Sequence, residues 1–253
     1  MPTHLNADDH LEALVRSGTV LREAAAAAGP DAKVPTCPSW DVATLVTHQG
    51  TVHRWAAANL RGDKDHNPSA SEAEAGAADD LLAWYGEGLT DLVDTFHRTA
   101  EDVEALVFFN DAPPPRRFWA RRQAHETTIH SVDAISAVHG RWPQASDVHI
   151  DPVVAADGID ELLSGFLTRG SGKLHSAEPY TIVVRTDDTG HAWTLRISDG
   201  PVVTTPGDGQ RSEVVFTGSA VQLYLSLWNR ADEITAHGRA DAVDHWRSHV
   251  RWG

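Results

Sequence analysis

The sequence predicts an α+β protein: an N-terminal four-helix bundle over residues 1–145, followed by a smaller α+β domain over residues 146–253. Two changes of pattern predict it. Through the first 140 residues apolar side chains recur every three or four positions, the period of helices with one buried face. Beyond about residue 150 the period drops to two in short runs bounded by turn residues, as in half-buried strands, with helical stretches among them.

Leu11, Leu14, Val15 and Leu21 place a first helix over Asp8–Ala28, stopped by Gly29-Pro30. Pro35 to Pro38 forms a rigid turn. Asp41 is the expected N-cap of a second helix carrying Val42, Leu45, Val46, Val52, Trp55 and Leu60. Residues 61–78 are small and polar without an apolar period, and a long mobile loop is expected there. Leu82, Tyr85, Leu89, Leu92, Val93 and Phe96 mark a third helix from about Asp79 to Arg98, weakened by Gly86 and Gly88. The run Asp111 to Arg117, with its consecutive prolines, is expected to stay non-helical ahead of a fourth helix, Phe118–His139, that ends at Gly140.

Residues 141–150 resemble a linker. Past a helix near Asp151–Leu167, strands at Tyr180–Arg185 and His191–Ile197 flank the turn Asp187 to Gly190. A third strand at Glu213–Phe216 leads into a helix, Ala220–Trp228. Glu233–His237 is expected as a fourth strand, and Ala240–Trp252 as a closing amphipathic helix with Val243, Trp246, Val250 and Trp252.

With 253 residues, 41% of them hydrophobic and 23% charged, the chain can bury a sizeable core. Its 36 acidic against 21 basic residues give a net charge of −15, which repels phosphate backbones and anionic headgroups, so neither nucleic acid nor a membrane surface is an expected partner. The single cysteine, Cys37, excludes an intrachain disulfide. The opening MPTHLNADDH lacks the features of a secretory signal, and no apolar run spans a bilayer, so the cytoplasm is the expected compartment.

The chemistry concentrates on the fourth helix. At about 100° per residue, Glu126 and His130 are separated by only about 40° around the axis, one turn apart on one face. That geometry lets a carboxylate and an imidazole meet one ion, and Asp133 on the same face can accept from the imidazole's second nitrogen. His125 stands five residues from His130, not the four of the zinc-protease motif, and is expected to point elsewhere. His48, beside Leu45 and Val52 at the edge of the second helix's inward stripe, is the best third ligand. Two histidines and a glutamate suit zinc or another first-row divalent ion and leave a coordination position open. The same residues also fit a hydrogen-bonded core histidine and a helix-surface pair.

The stretches Thr36-Cys-Pro-Ser-Trp-Asp-Val-Ala-Thr-Leu-Val-Thr-His48, Val52-His-Arg-Trp55 and Arg121-Arg-Gln-Ala-His-Glu-Thr-Thr-Ile-His-Ser-Val-Asp-Ala134 resemble the mycothiol-dependent maleylpyruvate isomerase family, whose bundles are DinB-like. The similarity continues through Phe216-Thr-Gly-Ser-Ala-Val-Gln-Leu-Tyr-Leu-Ser-Leu-Trp-Asn-Arg230 and Gly238, in the manner of that family's α+β C-terminal domain. It implies that His48, Glu126 and His130 are the metal ligands and that Arg230 is the functional arginine of the C-terminal domain. The chain has Gln123-Ala124 where the family commonly has Met-Ala, and Ser39 where it commonly has Gly; neither is a ligand position.

The resemblance implies mycothiol as thiol cofactor or cosubstrate and a small electrophilic molecule as substrate. A free thiol has a pKa near ~8.5, and coordination to a divalent ion deprotonates it at neutral pH. Attack on an electrophilic carbon then gives isomerisation or S-transfer. Arg230, with Arg54, Arg121 and Arg122 in reserve, is the candidate to hold a substrate carboxylate; solvated surface arginines are the alternative. Trp40 and Trp55 are expected in packing and Cys37 as a structural thiol. A bundle that binds a partner without catalysis, and a metal-dependent hydrolase, are the competing functions.

Overall fold

The computed structural model describes residues 4–169, 174–209 and 212–250. Its first helix, α1 (Ala7–Ala28), starts where Asn6 accepts from the backbone N–H groups of Asp8 and Asp9, while Asp9 accepts from Asn6 N at 2.8 Å. This reciprocal cap satisfies donors that the first turn leaves orphaned. α2 (Val42–Arg61) starts at Asp41, as its sequence suggests, with Asp41 Oδ1 accepting from Thr44 N at 2.9 Å.

Residues 61–78 are not a continuous loop. Pro68–Ala77 forms α3, capped by Asn67 and with Pro68 in its first turn. Alanine and glutamate favour a helix here, but only Ser71 and Ala75 are buried, so no apolar stripe marks it in the sequence.

α4 (Leu81–Arg98) is capped by Asp80 and buries Trp84, Tyr85, Leu92 and Phe96. Its Gly88 admits a neighbour: a Cβ there would lie 2.2 Å from Arg54 Nη1. α5 (Pro115–His139) begins three residues earlier than expected, so Arg116 and Arg117 are helical. Proline is tolerated at the first helical position, where its missing N–H has no partner to lose. From Phe118 to Ala134 every residue of α5 except Glu126 is buried, and Gly140, at φ 64°, ends the helix.

Four long helices, α1, α2, α4 and α5, make the N-terminal bundle. α1 runs chiefly along α5 and α2 along α4, with α2 also meeting α5. Leu21, Val34, Leu45, Val46 and Tyr85 lie in its apolar core.

The C-terminal part opens with α6 (Pro152–Asp160), capped by Asp151 and prolonged by a π-helical turn (Glu161–Phe166) and a 3-10 turn (Leu167–Arg169). Five strands follow: β1 (Tyr180–Thr186), β2 (Ala192–Ile197), β3 (Val203–Pro206), β4 (Val214–Gly218) and β5 (Thr235–Gly238). They form one sheet in the order β3-β2-β1-β4-β5, with β1 and β4 parallel and the other pairs antiparallel.

β3 is unannounced in the sequence because it is a short edge strand with no buried residue, so nothing alternates. α7 (Ala220–Leu227) follows β4 from a cap at Ser219, and α8 (Ala242–His249) closes the described chain. Trp246 of α8 donates to Leu227 O at 3.0 Å and meets Phe216 edge-on. Trp252, expected in the closing helix, lies outside the described residues.

The chain divides into two compact units. Asn6–Phe108 and Ala112–Pro143 form one; the chain from Gln144 onward, with Phe109–Asp111, belongs to the other. Among the described residues no helix is long and apolar enough to cross a membrane.

Candidate metal centre

His48 on α2 and Glu126 and His130 on α5 converge, with one ligand atom of each within 4.8 Å of the others. Glu126 Oε1 lies 3.6 Å from His48 Nε2 and 3.4 Å from His130 Nε2. These separations exceed the 2.7–2.9 Å of a charge-assisted hydrogen bond. They match the roughly 3.4 Å between donor atoms that share a tetrahedral ion at bond lengths near 2.1 Å. The donor set and its spacing therefore fit a first-row divalent cation. Exposure falls from 37% at the His48 side chain through 25% at Glu126 to 8% at His130, so the cluster opens to solvent on the His48 side.

The outer contacts fix each α5 side chain. His130 Nδ1 lies 2.8 Å from Asp133 Oδ2, one turn on, which turns Nε2 toward Glu126. Asp133 is fully buried and accepts from Thr36 Oγ1 at 2.6 Å and from Cys37 Sγ at 3.6 Å. The turn before α2 thus supplies donors to a carboxylate on α5. Arg122 donates to Glu126 Oε2 at 2.7 Å, leaving Oε1 for the imidazoles.

Burial by itself lowers the pKa of His130, but the hydrogen bond to Asp133 and the nearby negative charge of Glu126 outweigh it and raise the group to about 9. Burial by itself raises Glu126, yet Arg122, His130 and His48 together hold it well below the usual carboxylate range. The two shifts describe one coupled pair: cationic neighbours hold Glu126 ionised, and the carboxylates of Glu126 and Asp133 favour positive charge at His130.

The other candidates distribute as follows. Trp40 packs against the bundle core, as expected, and also lines the cluster, its ring 4.9 Å from that of His48 and stacked 5.7 Å from that of His130. Trp55 packs, as expected, edge-on against Trp119. Cys37 is a buried thiol on Asp133. His125 turns from the cluster toward α1, where its ring meets that of His10 edge-on.

Arg121 and Arg122 are buried rather than solvated, and Arg122 pairs with Glu126 rather than waiting for a substrate. Arg54 is committed to backbone, donating to Gly50 O at 3.1 Å and Trp84 O at 2.7 Å with its guanidinium over the Trp84 ring. Arg230, in the C-terminal unit, is buried just after Asn229, which adopts φ 57°, and donates to Trp228 O at 3.0 Å. Sequence reasoning overlooked Thr36 and underrated Arg122. The spacing of Arg122 to Glu126 was the available signal for the second.

Residues 10–135 match the family model described as the mycothiol maleylpyruvate isomerase N-terminal domain, and residues 153–245 match the MDMPI C-terminal domain. No curated protein is similar enough to this chain to count as a match. Among solved structures, the crystal structure of the mycothiol-dependent maleylpyruvate isomerase is similar with a TM-score of 0.65 at 16% identity, over 98% of each chain. A histidine-to-alanine mutant of the mycothiol-dependent maleylpyruvate isomerase gives the same TM-score and coverage at 14% identity. At such identities the likeness is one of fold, whereas the two domain models together span most of the sequence. The chain belongs to the mycothiol maleylpyruvate isomerase family.

Proposed function

We propose that this protein is a divalent-metal-dependent enzyme that uses mycothiol as its thiol and an electrophilic small molecule as second substrate, acting as an isomerase or an S-transferase. The observation that carries the proposal is the convergence of His48, Glu126 and His130, at separations too wide for tight hydrogen bonds and suited to a shared ion. Family membership suggests the thiol: the family model is that of a mycothiol maleylpyruvate isomerase domain, and the similar crystal structures described above are of a mycothiol-dependent isomerase and its mutant.

In this reading the three side chains hold zinc or another first-row divalent ion. Such an ion lowers the pKa of a coordinated thiol from its ordinary ~8.5, giving thiolate at neutral pH. Asp133 keeps the His130 Nδ1 proton engaged, so that Nε2 presents a lone pair. Arg122 occupies the second oxygen of Glu126 and offsets its charge. Trp40 shields one side of both imidazoles, leaving the half-exposed His48 side for entry.

The reaction class is sulfur addition to an electrophilic carbon. In an isomerase, addition to a cis alkene leaves a carbon–carbon single bond where the double bond was, which rotates before the thiol is expelled; in a transferase the adduct leaves. Arg230 is assigned to a substrate carboxylate, on its place in the matched C-terminal stretch. We take residues 1–145 as the metal-holding domain and 146–253 as its α+β companion, and the cytoplasm as the compartment.

Titration calorimetry of the metal-loaded protein with mycothiol, glutathione and cysteine tests the proposal. Mycothiol should bind at least about tenfold more tightly, a difference of ~1.4 kcal/mol, and His48→Ala should abolish both metal uptake and turnover. Thiol-independent hydrolysis of an ester, or full biological activity in His48→Ala, would overturn it.

A further inference from the structure

A second polar cluster lies one position along the chain from the candidate ligands. Gln49 follows His48 on α2, and Thr127 follows Glu126 on α5. Gln49 Nε2 donates to Thr127 Oγ1 at 2.9 Å, and His53 Nε2, one turn further along α2, lies 2.9 Å from both groups. With Thr127 Oγ1 accepting from the amide, its own proton goes to His53 Nε2. The imidazole is then neutral, with its proton on Nδ1.

The contacts continue across the bundle. The His53 ring lies 5.4 Å from that of Tyr85 on α4, whose hydroxyl donates to Gly18 O on α1 at 3.4 Å. Ser17 on α1 and Thr128 on α5 share a hydrogen bond of 2.8 Å. These polar and ring contacts together make a belt that touches all four long helices.

This belt is not the most stable filling for a core. Gln49 Oε1 and His53 Nδ1 are buried without a hydrogen-bond partner, and apolar residues of similar shape would leave no such atoms. What the hydrogen bonds provide is register. A slide or rotation of α2 against α5 by a fraction of a turn breaks them together, whereas apolar contacts repack. His48 and Glu126 project from neighbouring positions on the same two helices, so that register also sets their separation.

We infer that Gln49, His53 and Thr127 are positioning residues that lock α2 against α5 and thereby hold His48 at an ion-sharing distance from Glu126. The inference rests on the reading of His48, Glu126 and His130 as metal ligands.

Titration of the metal-free full-length protein with Co2+, followed by visible absorption, tests it. Thr127→Val keeps the branched shape and removes the hydroxyl. It should weaken Co2+ binding by about 10- to 100-fold and change the visible spectrum, while Thr127→Ser, which keeps the hydroxyl, stays near wild type. Gln49→Leu, on the facing helix, should reproduce the loss and decides the matter if Thr127→Val does not fold. Thermal melts of the metal-free proteins separate loss of register from loss of fold. Unchanged Co2+ affinity and spectra in both variants, or a loss that follows only the fraction unfolded, overturns the positioning role alone. A wild-type protein that takes up no Co2+ overturns the metal reading beneath it.

Discussion

At the scale of single residues, His53 shows what this bundle demands of an ionisable group. It is fully buried, and desolvation pushes its pKa down to about 3. The ordinary value, taken for the unfolded chain, is about 6.5. Between those values the unfolded chain binds a proton at His53 that the folded chain does not, so His53 makes stability rise with pH and fall on acidification. The slope is about 1.4 kcal/mol per pH unit, or roughly 2 kcal/mol between pH 6.5 and pH 5. Urea unfolding at the two pH values, compared between wild type and His53→Gln, isolates this contribution; parallel losses in the two proteins would remove His53 as its source. The sequence offered His48, Glu126 and His130 because a turn of helix relates the last two and an inward stripe adjoins the first. It could not show that Arg121 and Arg122 are buried. Nearly the whole circumference of α5 is covered between Phe118 and Ala134, and a helix covered all round has no polar face from which to read orientation.

At the scale of elements, the starts of α1, α2 and α4 and the end of α5 follow from chemistry visible in the chain. Asn6, Asp41 and Asp80 each satisfy orphan backbone donors, and Gly140 takes the left-handed conformation that closes α5. The elements that escaped, α3 and β3, lack a buried stripe, and periodicity is a signal only where one face is buried. The cap of α2 has a measurable consequence because that helix carries His48. Asp41 accepts from Thr44 N and Thr44 Oγ1, which lowers its pKa. Asp41→Ala should cost about 1 kcal/mol in denaturant unfolding, while Asp41→Asn, an equally good cap, should lose only a fraction of that. Equal losses in the two variants would point to charge rather than capping as Asp41's contribution.

At the scale of the whole molecule, the proposed chemistry is unevenly shared. His48, Glu126 and His130, with Arg122, Asp133, Thr36 and Trp40 around them, all belong to the N-terminal unit, while Arg230 belongs to the C-terminal one. The two activities should therefore separate on truncation. A bundle of this size can bury most of the surface its unfolded chain exposes, about 70% of it, which is enough to fold alone. The chain cut after residue 145 should remain helical by circular dichroism and bind Co2+ within about tenfold of the full-length affinity, a difference of ~1.4 kcal/mol. It should lose turnover, because the assigned carboxylate partner is gone. In the intact protein, Arg230→Ala should leave Co2+ binding unchanged and raise KM for a carboxylate-bearing substrate, with partial recovery in Arg230→Lys, which keeps the charge but not the bidentate fork. A folded, truncated bundle that takes up no Co2+ would show that the ligands depend on residues beyond 145. One that still turns over substrate would remove Arg230, and the C-terminal domain with it, from the reaction.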